Sequence, residues 1–207
     1  MSSAKGTLSR EWGSSVSAAQ TEPVFHAGRC GMVAFLASEV AFFGTLIVAY
    51  VKYLGANNGE LTPARLLHLP TALLNTALLV SSSVTIAWAA SALAAGRRGA
   101  ALRWLVATVL LGCAFLGVTA NEWYGLIVNN GLTLRTNLFG TTYFTLIGFH
   151  AAHVTLGIVA MSCLWLVMSR HQAAGFLAEP IELTSWYWHF VDGVWIVLLL
   201  VVYIMGR

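Results

Sequence analysis

Apolar residues gather into five long runs along this chain, separated by short polar stretches, and that alternation predicts its architecture. The runs cover about residues 30–50, 69–95, 104–128, 138–168 and 184–205. Crossing about 30 Å of hydrocarbon takes roughly 20 residues of helix, so each run is long enough to span a bilayer. No water reaches the backbone there, and a continuous apolar span satisfies its own N–H and C=O groups only as a helix. The expectation is an all-α, polytopic membrane protein with five transmembrane helices.

The breaks agree. Asn57-Asn58-Gly59 with Pro63 marks the first connection, Gly96-Arg97-Arg98-Gly99 the second, Asn129-Asn130-Gly131 the third and Glu179-Pro180 the fourth. Residues 1–27 lack an apolar centre and are expected to form a polar cytoplasmic tail rather than a cleaved signal. Residues 28–207 would be the bundle. Composition narrows the class further. Hydrophobic residues make up 58% of the 207 and charged residues 9%, against about 25% charged in an ordinary soluble domain. The net charge of +3 is scattered, which argues for membrane orientation and against a nucleic-acid partner.

Lysine and arginine counts set the expected orientation. Lys5, Arg10, Arg29, Arg97, Arg98, Arg103 and Arg170 fall on one side, and Lys52, Arg65, Arg135 and Arg207 on the other. Seven against four places the amino terminus in the cytoplasm and the carboxyl terminus outside. Cys30, Cys113 and Cys163 lie within or beside apolar runs without a Cys-x-x-Cys spacing, and read as small buried apolar side chains. Small residues such as Gly112, Gly117, Gly148 and Gly157 allow close helix contact where lipid supplies no hydrophobic drive. No internal repeat of the inverted kind seen in many transporters is evident.

Ionisable groups inside these spans carry the candidate chemistry, since each is costly in lipid. Glu39, near the middle of the first span, reads as a proton-responsive site or as a structural acid bonded to a neighbouring helix. Glu122, near the outer end of the third, is expected to meet His150 or His153 as an interhelical clamp or a proton group. His189 and Asp192 stand at i and i+3, and read as a local pair in which the carboxylate accepts from the imidazole. Together, His150, His153, His189 and Asp192 would on paper compose a metal or haem site. Depth argues against that: His189 is read as one turn from the inner face and His150 as nearer the outer. No metal ligand is assigned.

The ordered motifs resemble subunit III of the haem–copper terminal oxidases, in a five-helix bacterial form. They are Arg29-x-Gly31-Met32 with Ser38-Glu39-Val40, Leu69-Pro70 with Leu74-Asn75-Thr76, and Glu122-x-Tyr124. Gly148-Phe149-His150 with His153-Val154 follows, then Trp186-Tyr187-Trp188-His189-Phe190-Val191-Asp192 with Val194-Trp195. The resemblance implies a non-catalytic core subunit of a proton-pumping oxygen reductase in the bacterial inner membrane. It would have no cofactor of its own, haem and copper being held by partner subunits. It also implies contact with subunits I and II, support of proton uptake and a membrane-embedded carboxyl at Glu39 that reacts with carbodiimide, and leaves open a place in a larger respiratory supercomplex. A bound phospholipid is implied near Arg29, Trp186 and Trp188. Many relatives carry seven helices, so the other wall of that lipid cleft would come from a neighbouring subunit. Cytochrome c is the preferred electron donor. The alternatives are a bo-type quinol oxidase, the related subunit of a nitric oxide reductase, and a stand-alone membrane metalloenzyme or haem protein.

Overall fold

The computed structural model describes residues 24–53, 68–170 and 177–205. Five helices fill these segments: α1 Val24–Tyr53, α2 Leu69–Ala94, α3 Arg98–Val128, α4 Leu138–Arg170 and α5 Ala178–Leu198. The last continues through a π-helical stretch, Leu199–Ile204. All five are long and apolar enough to cross a membrane, and no strand occurs among the described residues. The connection markers Asn57-Asn58-Gly59 and Pro63 lie outside the described residues, as do Lys5, Arg10, Arg65 and Arg207.

The helices overrun the apolar runs at their ends. α1 begins at Val24, inside the stretch expected to be polar tail. α3 begins at Arg98 and takes in Arg103, both expected in a loop. α5 begins at Ala178, so Glu179 and Pro180 form its first turn rather than a connection. The reason is general: apolarity stops where the hydrocarbon stops, whereas a helix stops where its hydrogen bonds do. A first turn tolerates proline, whose missing N–H is unpaired there anyway, and an acid favours the positive end of the helix dipole.

Two turns need glycine. Gly96 at φ +71 and Gly131 at φ +64 occupy the left-handed region, which L side chains rarely adopt. At Gly96 the Arg97 N–H donates back to the Ala92 carbonyl at 2.8 Å, the six-to-one bond of a Schellman ending. Arg98, just beyond, donates from Nε and Nη2 to the Met168 carbonyl and from Nη2 to that of Ser169. It thereby satisfies carbonyls that the end of α4 leaves open.

α2 and α3 form a closely packed hairpin, α3 lies along α4, and α5 packs against both α2 and α4. α1 packs against α4 and α5 from outside. Burial separates the two roles: 44% of the apolar window of α5 is inside the bundle, but only 6% of that of α1.

Trp188 of α5 is fully buried in a slot built from small residues on three helices. Its Nε1–H donates to Ser82 Oγ on α2 at 2.8 Å. A Cβ added at Gly157 of α4 would lie 2.6 Å from the indole, and one at Gly112 of α3 would lie 3.0 Å from it. Gly117, also expected at a helix contact, has open space instead. Side-chain hydrogen bonds close the α2–α3 seam, from Asn75 to Thr119 at 3.1 Å and between Thr85 and Thr108 at 2.8 Å. The three cysteines, expected inside, are all exposed on the surface of this chain. In a membrane bundle the outer face is itself apolar, so a small apolar side chain has no preference for the interior.

Gly157→Ala is expected to destabilise the bundle by about 1–3 kcal/mol, the usual cost of overpacking a tight contact. Gly117→Ala should leave it unchanged. Thermal unfolding in mild detergent distinguishes the two.

Candidate functional site

One ionisable contact joins α1 to α4. Glu39 Oε2 lies 3.0 Å from His153 Nε2, with side chains 16% and 13% exposed. Phe42 and Phe43 flank the imidazole, with ring centroids 6.1 and 4.9 Å away. Tyr187 of α5 donates its hydroxyl to the His153 carbonyl at 2.9 Å, so three helices converge here.

Hydrogen bonding fixes most of the protons. His153 Nδ1 lies 2.7 Å from the Phe149 carbonyl, which only accepts, so Nδ1 carries hydrogen. The Nε2–Oε2 contact then needs one proton. On Nε2 it makes an imidazolium–carboxylate pair; on Oε2 it makes a neutral acid bonded to a neutral imidazole. Glu39 is thus bonded to a neighbouring helix, as one of the two readings of the sequence expects.

Glu122 was expected to meet one of these histidines and does not. It lies six residues before the end of α3, about 9 Å along the axis at 1.5 Å per residue. His150 and His153 lie twelve and fifteen residues into α4, roughly 18–22 Å from its start. The carboxylate instead accepts at Oε2 from Tyr203 in the π-helical end of α5, at 2.9 Å, and Tyr203 is 3.4 Å from Tyr143. Its Oε1 is buried without a hydrogen-bond partner.

His189 and Asp192 are joined indirectly. Ser83 of α2 stands between them, 2.9 Å from His189 Nδ1 and donating to Asp192 Oδ2. Ser185, one turn back on α5, is 3.2 Å from His189 Nε2. His189 is exposed and Asp192 is buried, with Oδ1 lacking a partner. Because α5 starts at Ala178, His189 is eleven residues in, about 16 Å along the helix. It lies near the middle of the α-helical part of α5.

His150 is fully buried and stacks on Trp195 at 5.3 Å, with Phe115 edge-on at 5.8 Å. Neither of its ring nitrogens has a hydrogen-bond partner among the described residues. The three histidines meet different surroundings: His150 faces this aromatic box, His153 faces Glu39 and His189 faces two serines. No group of three or more His, Cys, Asp or Glu converges among the described residues.

Of the residues expected to meet lipid, Arg29 is exposed and paired with Glu182 at 2.9 Å, and Trp186 is half-buried. Trp188 is in the core and has no lipid-facing surface. Ser83, Tyr187 and Tyr203 escaped the sequence reading. A hydroxyl in an apolar run is weak as a signal by itself, and only the facing helix reveals what it bonds.

The chain matches the family described as cytochrome c oxidase subunit III over residues 9–207. It is 37% identical over 176 residues to "Cytochrome c oxidase subunit 3" of Corynebacterium diphtheriae, covering 84% of this chain and 85% of that one. It is 37% identical to the protein of that name from Branchiostoma lanceolatum, over 86% of this chain and 69% of the other. With the Latimeria chalumnae protein of that name it shares 34% identity, over 90% and 72%.

Tyr203→Phe removes the donor to Glu122 and leaves both carboxyl oxygens without a partner. The expected loss is about 1–3 kcal/mol, the cost of an unsatisfied buried group. Tyr143→Phe, which removes only the longer contact to Tyr203, should cost less. Detergent-induced unfolding of the two variants checks the order.

Proposed function

This chain belongs to the cytochrome c oxidase subunit III family, the non-catalytic subunit of the haem–copper oxidases, and we propose that it supports proton uptake by the catalytic subunit through the Glu39–His153 pair. The part-buried Nε2–Oε2 contact between two helices carries this reading, because its geometry suits the sharing of one proton. In this reading the haem and copper belong to subunits I and II, with which the chain assembles in a bacterial cytoplasmic membrane. Arg97, Arg98 and Arg103 favour a cytoplasmic amino terminus. The names of its relatives favour cytochrome c over quinol as the donor.

A phospholipid fits the outer side of α1. An apolar groove of about 340 Å³ runs between α1 and α5, lined by Val40, Phe43, Ile47, Phe190, Val194 and Val197. Arg29 lies exposed near the start of α1, and Trp186 is half-buried on α5. An acyl chain in the groove and a headgroup phosphate at Arg29 would use both. The N–H groups of Arg29 other than the one on Glu182 would bind it.

The test is a tagged pull-down in mild detergent, with reduced-minus-oxidised spectra before and after this chain is stripped away. The haem signal should stay with the partner chains. Initial oxygen reduction should persist, while proton uptake slows or activity decays sooner. A haem signal that follows this chain, or undiminished sustained turnover without it, overturns the reading. Glu39→Gln should assemble and lose carbodiimide labelling, since an amide keeps the volume and donates to His153 Nε2. Glu39→Ala should also loosen α1, exposing it to limited proteolysis.

A further inference from the structure

We propose that Ser185, His189, Ser83 and Asp192 form a proton wire between the exposed imidazole of His189 and the buried carboxylate of Asp192. Asp192 is then a one-proton store inside the bundle, distinct from the Glu39–His153 pair and independent of it.

Each link has a direction. Asp192, when ionised, only accepts, so Ser83 Oγ–H donates to Oδ2. With its hydrogen so used, Ser83 Oγ receives the hydrogen of His189 Nδ1 across 2.9 Å. His189 Nε2 is then the bare nitrogen and accepts from Ser185 Oγ–H at 3.2 Å. The order of donors runs from Ser185 through His189 and Ser83 to Asp192 without a break.

The same atoms serve the reversed order. A proton arriving at His189 Nε2 makes a new N–H bond there. The Nδ1–H bond breaks as its hydrogen passes to Ser83 Oγ, whose own hydrogen passes to Asp192 Oδ2. One proton has entered, Asp192 has become a carboxylic acid, and His189 is neutral again as its other tautomer. The Ser185 hydroxyl turns to accept from Nε2–H. No electron moves and nothing else is consumed.

The placement of the two ends distinguishes a wire from an interhelical clamp. A clamp between α2 and α5 needs only the Ser83–Asp192 bond. Here the chain extends through an imidazole to the surface, and the far carboxylate is 5% exposed, with one oxygen unpartnered. α2 carries no titratable side chain. The other acids and histidines on helices around α5 are engaged elsewhere: Glu39 with His153, His150 against Trp195 and Glu122 with Tyr203.

The test uses the whole purified complex and a rapid pH drop followed by infrared absorption. The carboxylic C=O band lost in Asp192→Asn reports protonation of Asp192. In the wild type that band should rise after the drop. Ser83→Ala should slow its rise by on the order of 100-fold, the lower range for a positioned proton-transfer group, and Ser83→Thr should restore it. His189→Leu leaves the Ser83–Asp192 bond intact and should slow the rise equally, which a clamp does not predict. An unslowed rise in His189→Leu, or no Asp192-dependent band at any pH, overturns the wire. If Ser83→Ala fails to assemble, the His189→Leu and Ser83→Thr pair decides.

Discussion

Everything else in the bundle depends on the room made for Trp188. Helices in lipid gain little from hiding apolar surface, because the lipid is as apolar as they are, so they associate where backbones approach closely and polar groups meet. Gly112, Gly157 and Ser82 provide that approach from three different helices around one indole. Seating it brings α5 between α2 and α4. From that position Asp192 and His189 reach Ser83, Tyr187 reaches His153, and Tyr203 reaches Glu122.

The buried polar groups then divide among the helix junctions. Asn75–Thr119 and Thr85–Thr108 join α2 to α3. Ser83 joins α2 to α5, Tyr203 and Glu122 join α5 to α3, and Glu39–His153 joins α1 to α4. In the proposed reading, two of these junctions hold a proton that has somewhere else to go. The junction that fastens a helix and the group proposed to move a proton are then the same atoms, as polar groups inside lipid must be paired whatever else they do.

Element number, order and family were legible because apolar runs and motif order are one-dimensional signals. Helix ends were not, since the hydrocarbon boundary and the end of helical hydrogen bonding differ: α5 starts at Ala178 while its apolar run starts near residue 184. The ionisable residues were all visible as outliers, but their partners were not. Glu39 and His153 are 114 positions apart, Ser83 and Asp192 109. Facing across helices depends on rotation about each axis, and an apolar run that tolerates lipid on every side leaves that rotation unspecified. Trp188 shows the same limit: an aromatic near a membrane boundary reads as an anchor until three small residues are seen around it.

α1 is the helix on which structure and proton exchange press against each other most. With so little of its surface inside the bundle, it relies on Glu39–His153 in the interior and Arg29–Glu182 at the exposed end. The exposed pair contributes at most about 1 kcal/mol, so most of the specific polar attachment is the part-buried one. That contact tolerates change in its proton count. With one proton, Nε2 and Oε2 share it in either of two arrangements. With two, the imidazolium Nε2–H still donates to the carbonyl oxygen of a neutral acid. Only with none does a bare nitrogen face a carboxylate and the attraction vanish. A proton can therefore come to this pair, or cross it, while α1 stays docked. The same holds for Ser83, which bonds Asp192 as donor before protonation and as acceptor after it. In both places a hydrogen bond that works in either direction lets a proton move through a joint without opening it.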